Sequence, residues 1–322
     1  MLEIADRLLA AHDAGRTLVV ATAIDVEGSA PRTVGTSMAF DGTAVIGSIA
    51  GGCVEGAVVE VCEEVLADGV ARTVEYGVSD ESAFDVGLSC GGQVRIHVQP
   101  LSPELIAGLR AAVDGEATAL RVCAEFTESV RVPAQLIIFG AMDFSAALST
   151  AAKALDFRVT VCDPRPLFTT AERFPDAQLV VEWPPHYLAR ILGAVAESIE
   201  GGSTLVSSTV DENTVICILS HDERFDAELI ALALASPATF VGAMGSRATH
   251  ERRLAALRAR GVDERALARL HAPIGLDLGA TTPAETAISI LAEVLATRAG
   301  GTAAPLTTRS GRIHAHPARA AG

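Results

Sequence analysis

Aromatic side chains are scarce in this chain: they make up 4% of 322 residues, with one tryptophan and two tyrosines. The core must then come from Ala, Val, Leu and Ile, which the 49% hydrophobic content can supply. Basic charge is also short, with 25 Lys and Arg against 40 Asp and Glu and a net charge of −15. The deficit lies early. Residues 1–125 hold 7 Arg and 19 acids, net −12, whereas residues 126–322 hold 18 basic residues and 21 acids, net −3. Neither half offers the positive field that nucleic-acid binding needs, so an anionic ligand must be held by local geometry. No apolar run approaches the roughly 18 residues of a membrane span. The opening "MLEIADRLLAAHDAGR" mixes acids among its apolar residues and lacks the basic start of a secretory signal, so a cytoplasmic location is expected. The cysteines Cys53, Cys62, Cys90, Cys123, Cys162 and Cys217 form no C-x-x-C pair and no zinc-like spacing with histidine. As reduced thiols each is core filler or chemistry. Cys62, Cys123, Cys162 and Cys217 lie inside apolar runs and are expected in the core.

The length favours two domains. Residues 1–130 alternate irregularly between strand-like and helix-like segments, which predicts an α+β domain. Within it, "TSMAF-DG-TAVIGSI" reads as a hairpin around a two-residue Asp-Gly turn. "CVEGAVVEVCEEVLADG" reads as a helix from about Cys53 to Ala67, with Cys53 at its N-terminus. Ser102-Pro103 is a helix start, and "ATALRVCAEF" a further strand. Across residues 131–300 strands and helices alternate regularly, as in a parallel sheet covered on both faces. Residues 301–322, rich in Gly, Ala and Pro, read as a flexible tail.

Two stretches carry chemistry: "SIAGGCVEGAVVE" at 48–60 and "VGLSCGGQVRIHV" at 86–98. Each sets a cysteine beside paired glycines at a strand end, where backbone N–H groups can approach and point at an anion. A thiolate at a helix start would also be stabilised by the unpaired N–H groups. The competing reading is a pair of tight turns that happen to contain Cys.

These stretches, with "VEGSAPRTVGTSMAF", "VGAMGSRATHERRLAALRARG" and "LHAPIGLDLGATTPAETAISILAEVLA", resemble the xanthine dehydrogenase accessory proteins, the XdhC/CoxI family, from about Leu18 to Arg298. The resemblance implies an α/β chain whose second domain is a Rossmann-like doubly wound parallel sheet. It also implies a molybdenum-cofactor chaperone, commonly homo-oligomeric. Such a protein holds the cofactor while a terminal oxo ligand is exchanged for sulfur with a cysteine desulfurase, then passes it to an apo molybdenum hydroxylase. It is a handover protein more than an enzyme. Carried over to this chain, Gly51, Gly52, Cys53 and Glu55 match one family segment, and Cys90, Gly91 and Gly92 a second. Cys53 and Cys90 become candidates for cofactor contact or sulfur handling, since thiolates suit a soft metal centre.

In the second domain, polar groups fall at predicted strand ends, where open α/β sheets bind ligands. Asp163 and Arg165, and Gly245, Ser246 and Arg247 in "GAMGSR", are candidate cofactor contacts. Asp163 follows Gly140 at nearly the spacing of a ribose-binding acid, although an Asp before Pro164 is also ordinary turn chemistry. His221, Asp222, His271 and Asp277 are weak metal candidates, and His250, Arg252 and Arg253 read as a solvated helix face. The first turn runs Gly140-Ala141-Met142-Asp143-Phe144-Ser145, where a dinucleotide site wants Gly-x-Gly-x-x-Gly. Met142 removes the glycine that admits pyrophosphate and Asp143 adds negative charge there, which argues against NAD(P). An NAD(P)-dependent oxidoreductase and a non-catalytic partner-binding module stay open as alternatives.

Overall fold

The computed structural model describes residues 1–28, 32–52, 54–77, 92–130, 132–193, 197–199, 202–204 and 209–310. The chain divides into two compact units, Met1–Val132 with the segment from Pro305 onward, and Pro133–Ala304.

In the first unit, α1 (Ala5–Asp13) precedes strands β1 (Val19–Glu27), β2 (Ser37–Phe40) and β3 (Val45–Gly47). Then come α2 (Glu55–Asp68), β4 (Arg72–Tyr76), β5 (Gln93–Pro100), α3 (Pro103–Val113), β6 (Ala119–Arg121) and β7 (Thr127–Ser129). Five strands form one antiparallel sheet in the order β3-β2-β1-β5-β4. The alternation of Val94, Ile96 and Val98 in β5 turns these residues to one core, shared with Val58, Cys62 and Val65 of α2. On the other face, Val20 of β1 packs with Leu8 of α1 and Leu109 of α3. Ser102 caps α3 by accepting from the Leu105 N–H at 3.3 Å, as the Ser-Pro signal indicates.

Two expectations need correction here. The β2–β3 connection has four residues, not two, because Phe40 pairs with Val45 and the Asp41 carboxylate accepts from the Thr43 and Ala44 N–H groups, at 2.9 and 2.7 Å. The single strand expected at "ATALRVCAEF" is instead a hairpin of β6 and β7, and Cys123 sits half-exposed at its turn rather than in the core.

The second unit contains β8 (Gln135–Phe139), α4 (Asp143–Lys153), β9 (Arg158–Cys162), β10 (Gln178–Val180), α5 (Pro184–Ile191) and a short hairpin of β11 (Glu197–Ile199) with β12 (Gly202–Thr204). It continues with β13 (Thr214–Ile218), α6 (Asp226–Ala235), β14 (Phe240–Ala243), α7 (Arg247–Ala259), α8 (Glu264–Leu267), β15 (Leu270–His271) and α9 (Pro283–Ala299). Six parallel strands run β10-β9-β8-β13-β14-β15. Every residue of β13 is buried, as a strand covered on both faces requires. One face packs under α4 and α9 through Leu148, Ile290 and Val294. The other packs under α5 to α8 through Leu188, Leu229, Leu257 and Leu267. Because the chain winds outward from β8 and again from β13, the sheet is doubly wound, and its topological switch point lies between those two strands. Among the described residues no helix is long and apolar enough to cross a membrane.

Candidate functional site

Val19 to Glu27 of β1 runs alongside Gln93 to Pro100 of β5 in the opposite sense, and β3 runs parallel to β1 through two antiparallel steps. The exit of β4 and the entry of β5 therefore fall at one end of the sheet; β3 points toward that end but stops short of it, since Gly47 lines up through Met38 and Ala21 with Val98. Gly51 and Gly52 follow β3, and Gly92 stands buried directly before β5. Cys53, Cys90 and Gly91 lie outside the described residues.

Gly51 and Gly52 have φ of 73° and 107°, with open space where a Cβ would stand, so backbone conformation and not crowding requires glycine here. Their N–H groups are not open to an external anion, which corrects the expectation for this loop. Glu55 folds back over it. One carboxylate oxygen accepts from Ser48 Oγ at 2.7 Å, Ile49 N at 3.2 Å and Ala50 N at 3.0 Å. The other accepts from Gly52 N at 2.8 Å and Val54 N at 3.3 Å, while Gly51 N donates to Ser48 Oγ at 3.3 Å. Partial burial pushes the Glu55 pKa up, but the donors led by Ala50 N–H and the Ser48 hydroxyl outweigh it and hold it at about 2. Glu55 is thus the resident anion of this loop. The helix also begins later than expected, at Glu55 with Val54 as its cap, because the loop is closed by this carboxylate rather than by helical turns.

At the switch point of the second sheet, Gly140 has φ 108°, and a Cβ there would stand 2.8 Å from Ser220 N. Ser145, in the place of the third glycine, is buried and donates to Gly140 O at 2.5 Å. Met142 caps α4 without a side-chain hydrogen bond. Arg173 closes the start of α4 by donating to Asp143 Oδ1 at 2.8 Å and to Ala141 O at 3.3 Å. Asp163 is buried and fully engaged: Ala141 N donates at 2.8 Å, and Arg165 donates through its backbone N, Nε and Nη2 at 2.9, 2.8 and 2.7 Å. Burial raises its pKa, yet Arg165 and the Ala141 N–H pull it below the usual carboxylate range. Little acceptor capacity is left for a ribose.

Gly245, Ser246 and Arg247 open α7, where Ser246 Oγ accepts from Thr249 N at 3.1 Å. Arg253, expected on a solvated face, is instead 5% exposed and clamped: Nε and Nη2 donate to Asp226 at 2.6 and 2.8 Å, and Nη1 donates to Met244 O at 2.7 Å. The local pattern hid this, because the partner lies 27 positions away. The metal candidates do not converge. His271 Nδ1 lies 2.9 Å from Glu293 and its ring stacks on Phe240, Asp222 is held by Arg224 at 2.9 Å, and His221 and Asp277 are exposed. Among the described residues no three metal-ligating side chains form a group.

Sequence reasoning missed Ser220. It is 7% exposed, its Oγ has no hydrogen-bond partner, and it stands at the end of β13 beside Gly140. His250 Nδ1 on α7 is likewise buried and unpartnered. Position at a strand end could have singled out Ser220, but the missing partner is visible only in the packing.

An antiparallel α+β unit joined to a doubly wound parallel sheet defines a two-part α/β protein whose second unit has the nucleotide-binding strand order. Family comparison narrows the class. Residues 136–294 match the XdhC Rossmann domain, and residues 11–77 match the XdhC and CoxI family. The chain belongs to the XdhC/CoxI family. It is 26% identical over 276 residues to an Escherichia coli protein, the uncharacterized protein YqeB, covering 86% of this chain but 42% of that relative's length. It is 25% identical to the E. coli molybdenum cofactor insertion chaperone PaoD, covering 88% of this chain and 84% of PaoD. A probable xanthine dehydrogenase subunit of Bacillus subtilis is 24% identical, with 87% of this chain and 93% of that relative covered. A crystal structure described as a xanthine dehydrogenase from Bacillus halodurans superposes with a TM-score of 0.69 at 25% identity, covering 92% of this chain and 95% of that one.

Proposed function

We propose that this protein is a molybdenum-cofactor chaperone that inserts the cofactor into a xanthine dehydrogenase-type hydroxylase. In this reading Cys53 and Cys90 contact the cofactor or handle its sulfur during exchange with a cysteine desulfurase, and the protein acts as a homo-oligomer. The observation that carries the reading is the match of residues 11–77 and 136–294 to the models of this family, in a chain whose described Gly51 and Gly52 follow β3 and whose Gly92 precedes β5 of the same sheet. Glu55 fits the part of a loop clamp rather than a ligand, since its carboxylate is spent on Ser48 and four N–H groups. The unpartnered Ser220 and His250 atoms in the second unit are consistent with a ligand-binding protein. Cofactor, when bound, supplies redox-active metal for the client enzyme; the residues of this chain hold it and shield it.

The test is to purify the protein from a cofactor-producing host and assay for molybdenum and for oxidised-pterin fluorescence. Wild type is expected to retain both, and Cys53→Ala or Cys90→Ala to lose them while remaining folded. Retention by both variants removes the cysteine assignment, and absence from wild type removes the chaperone reading. The oxidoreductase alternative is opposed by the Arg173–Asp143 closure of α4 and the engaged Asp163. Turnover of NADH or NADPH with a carbonyl substrate would reinstate it.

A further inference from the structure

The two strands that flank β8 are followed by the same three-residue pattern. Asp163-Pro164-Arg165 comes after β9, and Asp222-Glu223-Arg224 after β13, with β8 between those strands in the sheet. In each turn the carboxylate accepts from the backbone N–H, the Nε and the Nη2 of the arginine two positions on. Each guanidinium also covers an aromatic ring, Phe168 at 4.6 Å for Arg165 and Trp183 at 5.2 Å for Arg224. One edge of each arginine is thus spent, while Nη1 has no acceptor among the described residues. The turns approach each other across the end of β8. The pKa of Arg165 is raised by Asp163 first and by the charge of Asp222 in addition, and that of Asp222 is lowered by Arg224 first and by Arg165 in addition.

The floor beneath them holds a second observation. Leu219 N and Ser220 N both donate to Phe139 O, at 2.9 and 3.0 Å, which ends the regular ladder of β13 and lays Ser220 against Gly140. A Cβ on Gly140 would stand 3.2 Å from Ser220 Cβ, so the serine side chain starts over this turn. Its hydroxyl is closed to solvent and lacks a partner, which costs stability unless a bound group or a water supplies one.

The groups left unspent decide the class of ligand. Gly140 N donates to Cys162 O and Ala141 N to Asp163, so with Leu219 N and Ser220 N engaged these strand ends keep no nest of free N–H groups for a phosphate. Asp163 and Asp222 each accept four hydrogen bonds. What remains is donors: the outer guanidinium edges and one hydroxyl. Because the two Asp-Arg pairs cancel in charge, a single negative charge is better matched here than a double one. A planar carboxylate meets a guanidinium edge through two parallel hydrogen bonds.

We propose that the ends of β8 and β13, with the turn after β9, bind the carboxylate of a small organic acid, which takes the outer edge of Arg165 as its charge partner and the Ser220 hydroxyl as its buried contact. Since that hydroxyl is covered in the free chain, the ligand parts the two Asp-x-Arg turns on entry. The site goes beyond the chaperone reading and does not rest on it.

Trp183 is the one tryptophan of the chain and lies under Arg224, so its fluorescence follows the rim. Wild type is titrated with acetate, butyrate and inorganic phosphate at matched ionic strength, with calorimetry as a second readout. Saturable binding in the millimolar range is expected for both carboxylates, and at least tenfold weaker binding for phosphate. Arg165→Lys keeps the charge but loses the planar fork, and is expected to weaken carboxylate binding at least tenfold. Ser220→Ala is expected to weaken it severalfold while the melting temperature stays level or rises, because an unpartnered buried hydroxyl has been removed; it carries the test should Arg165→Lys fail to fold. Arg258→Ala, from an exposed pair with Glu264, is expected to bind as wild type does. No saturable response to either carboxylate, which leaves Ser220 a water alone, would overturn the site, as would binding unchanged in Ser220→Ala. Phosphate bound as tightly as acetate and butyrate would overturn the carboxylate assignment. None of these probes contains pterin or molybdenum, so the chaperone reading stands or falls separately.

Discussion

Replacing Glu55 by Gln tests whether the Gly-Gly-Cys loop is held by its own carboxylate. The shape is kept, but a carboxamide has one acceptor oxygen. If that oxygen faces Ser48, Ile49 and Ala50, the amino group confronts the Gly52 and Val54 N–H donors; the flipped rotamer confronts the other three. At least two charge-assisted hydrogen bonds are lost. Each is worth about 1.5–3 kcal/mol, and because Gly52 is exposed and water can replace part of the loss, about 2–3 kcal/mol is expected in all. For a unit of this size that lowers its melting temperature by roughly 6–12 °C in differential scanning calorimetry. Hydrogen exchange should quicken at Ile49, Ala50, Gly52 and Val54 before it does in β1 or β5. The effect has a pH signature. Glu55 has a folded pKa of about 2 against an ordinary 4.5, so its contribution is complete above about pH 4.5 and is lost as pH falls through about 2. The gap between wild type and variant should close over that interval. An unchanged transition at pH 7 with unchanged exchange in the loop would refute the clamp.

Asp226→Asn leaves Arg253 buried without its counter-charge and should cost about 3–5 kcal/mol; denaturant unfolding followed by Trp183, which packs edge-on against Phe225 at 4.8 Å, reads this unit. A double variant carrying Asp226→Ala and Arg253→Met should recover much of that loss. Gly140→Ala combines φ of 108° with a Cβ 2.8 Å from Ser220 N, and a loss of at least about 2 kcal/mol is expected by the same probe. Burial raises the Cys62 and Cys162 thiols to about 11 and 12 and that of the fully buried Cys217 higher still. Iodoacetamide at pH 7.5 should therefore leave all three unlabelled in the native protein and label them on unfolding, which mass spectrometry of the alkylated peptides resolves.

What the sequence revealed and what it hid follow from the range of the forces involved. The strands β8, β9 and β13 are continuous apolar runs, so their existence and parallel pairing could be read directly. Helix α9 announces itself through Thr282, Pro283 and Glu285, which form the capping box seen in the structure. Helix α5 is hard to read from sequence, because Trp183-Pro184-Pro185 looks like a break although Pro184 and Pro185 fit a helical first turn. The Arg253–Asp226 pair spans 27 positions and has no local signature, so an arginine among charged neighbours passed for a solvated one. The Ser220 hydroxyl is harder still: its distinguishing property is a partner that is not there.

The two places where glycine and cysteine or glycine and helix start suggested an anion site share one feature. In each the chain brings its own carboxylate. Glu55 follows Gly52 by three positions and takes up the loop's N–H groups, while Asp163 takes the Ala141 N–H and Asp143 sits in the first turn of α4 under Arg173. A glycine pair therefore marks a backbone able to bind an anion, and the acids a few residues away or at the next strand end decide whether that anion is part of the protein.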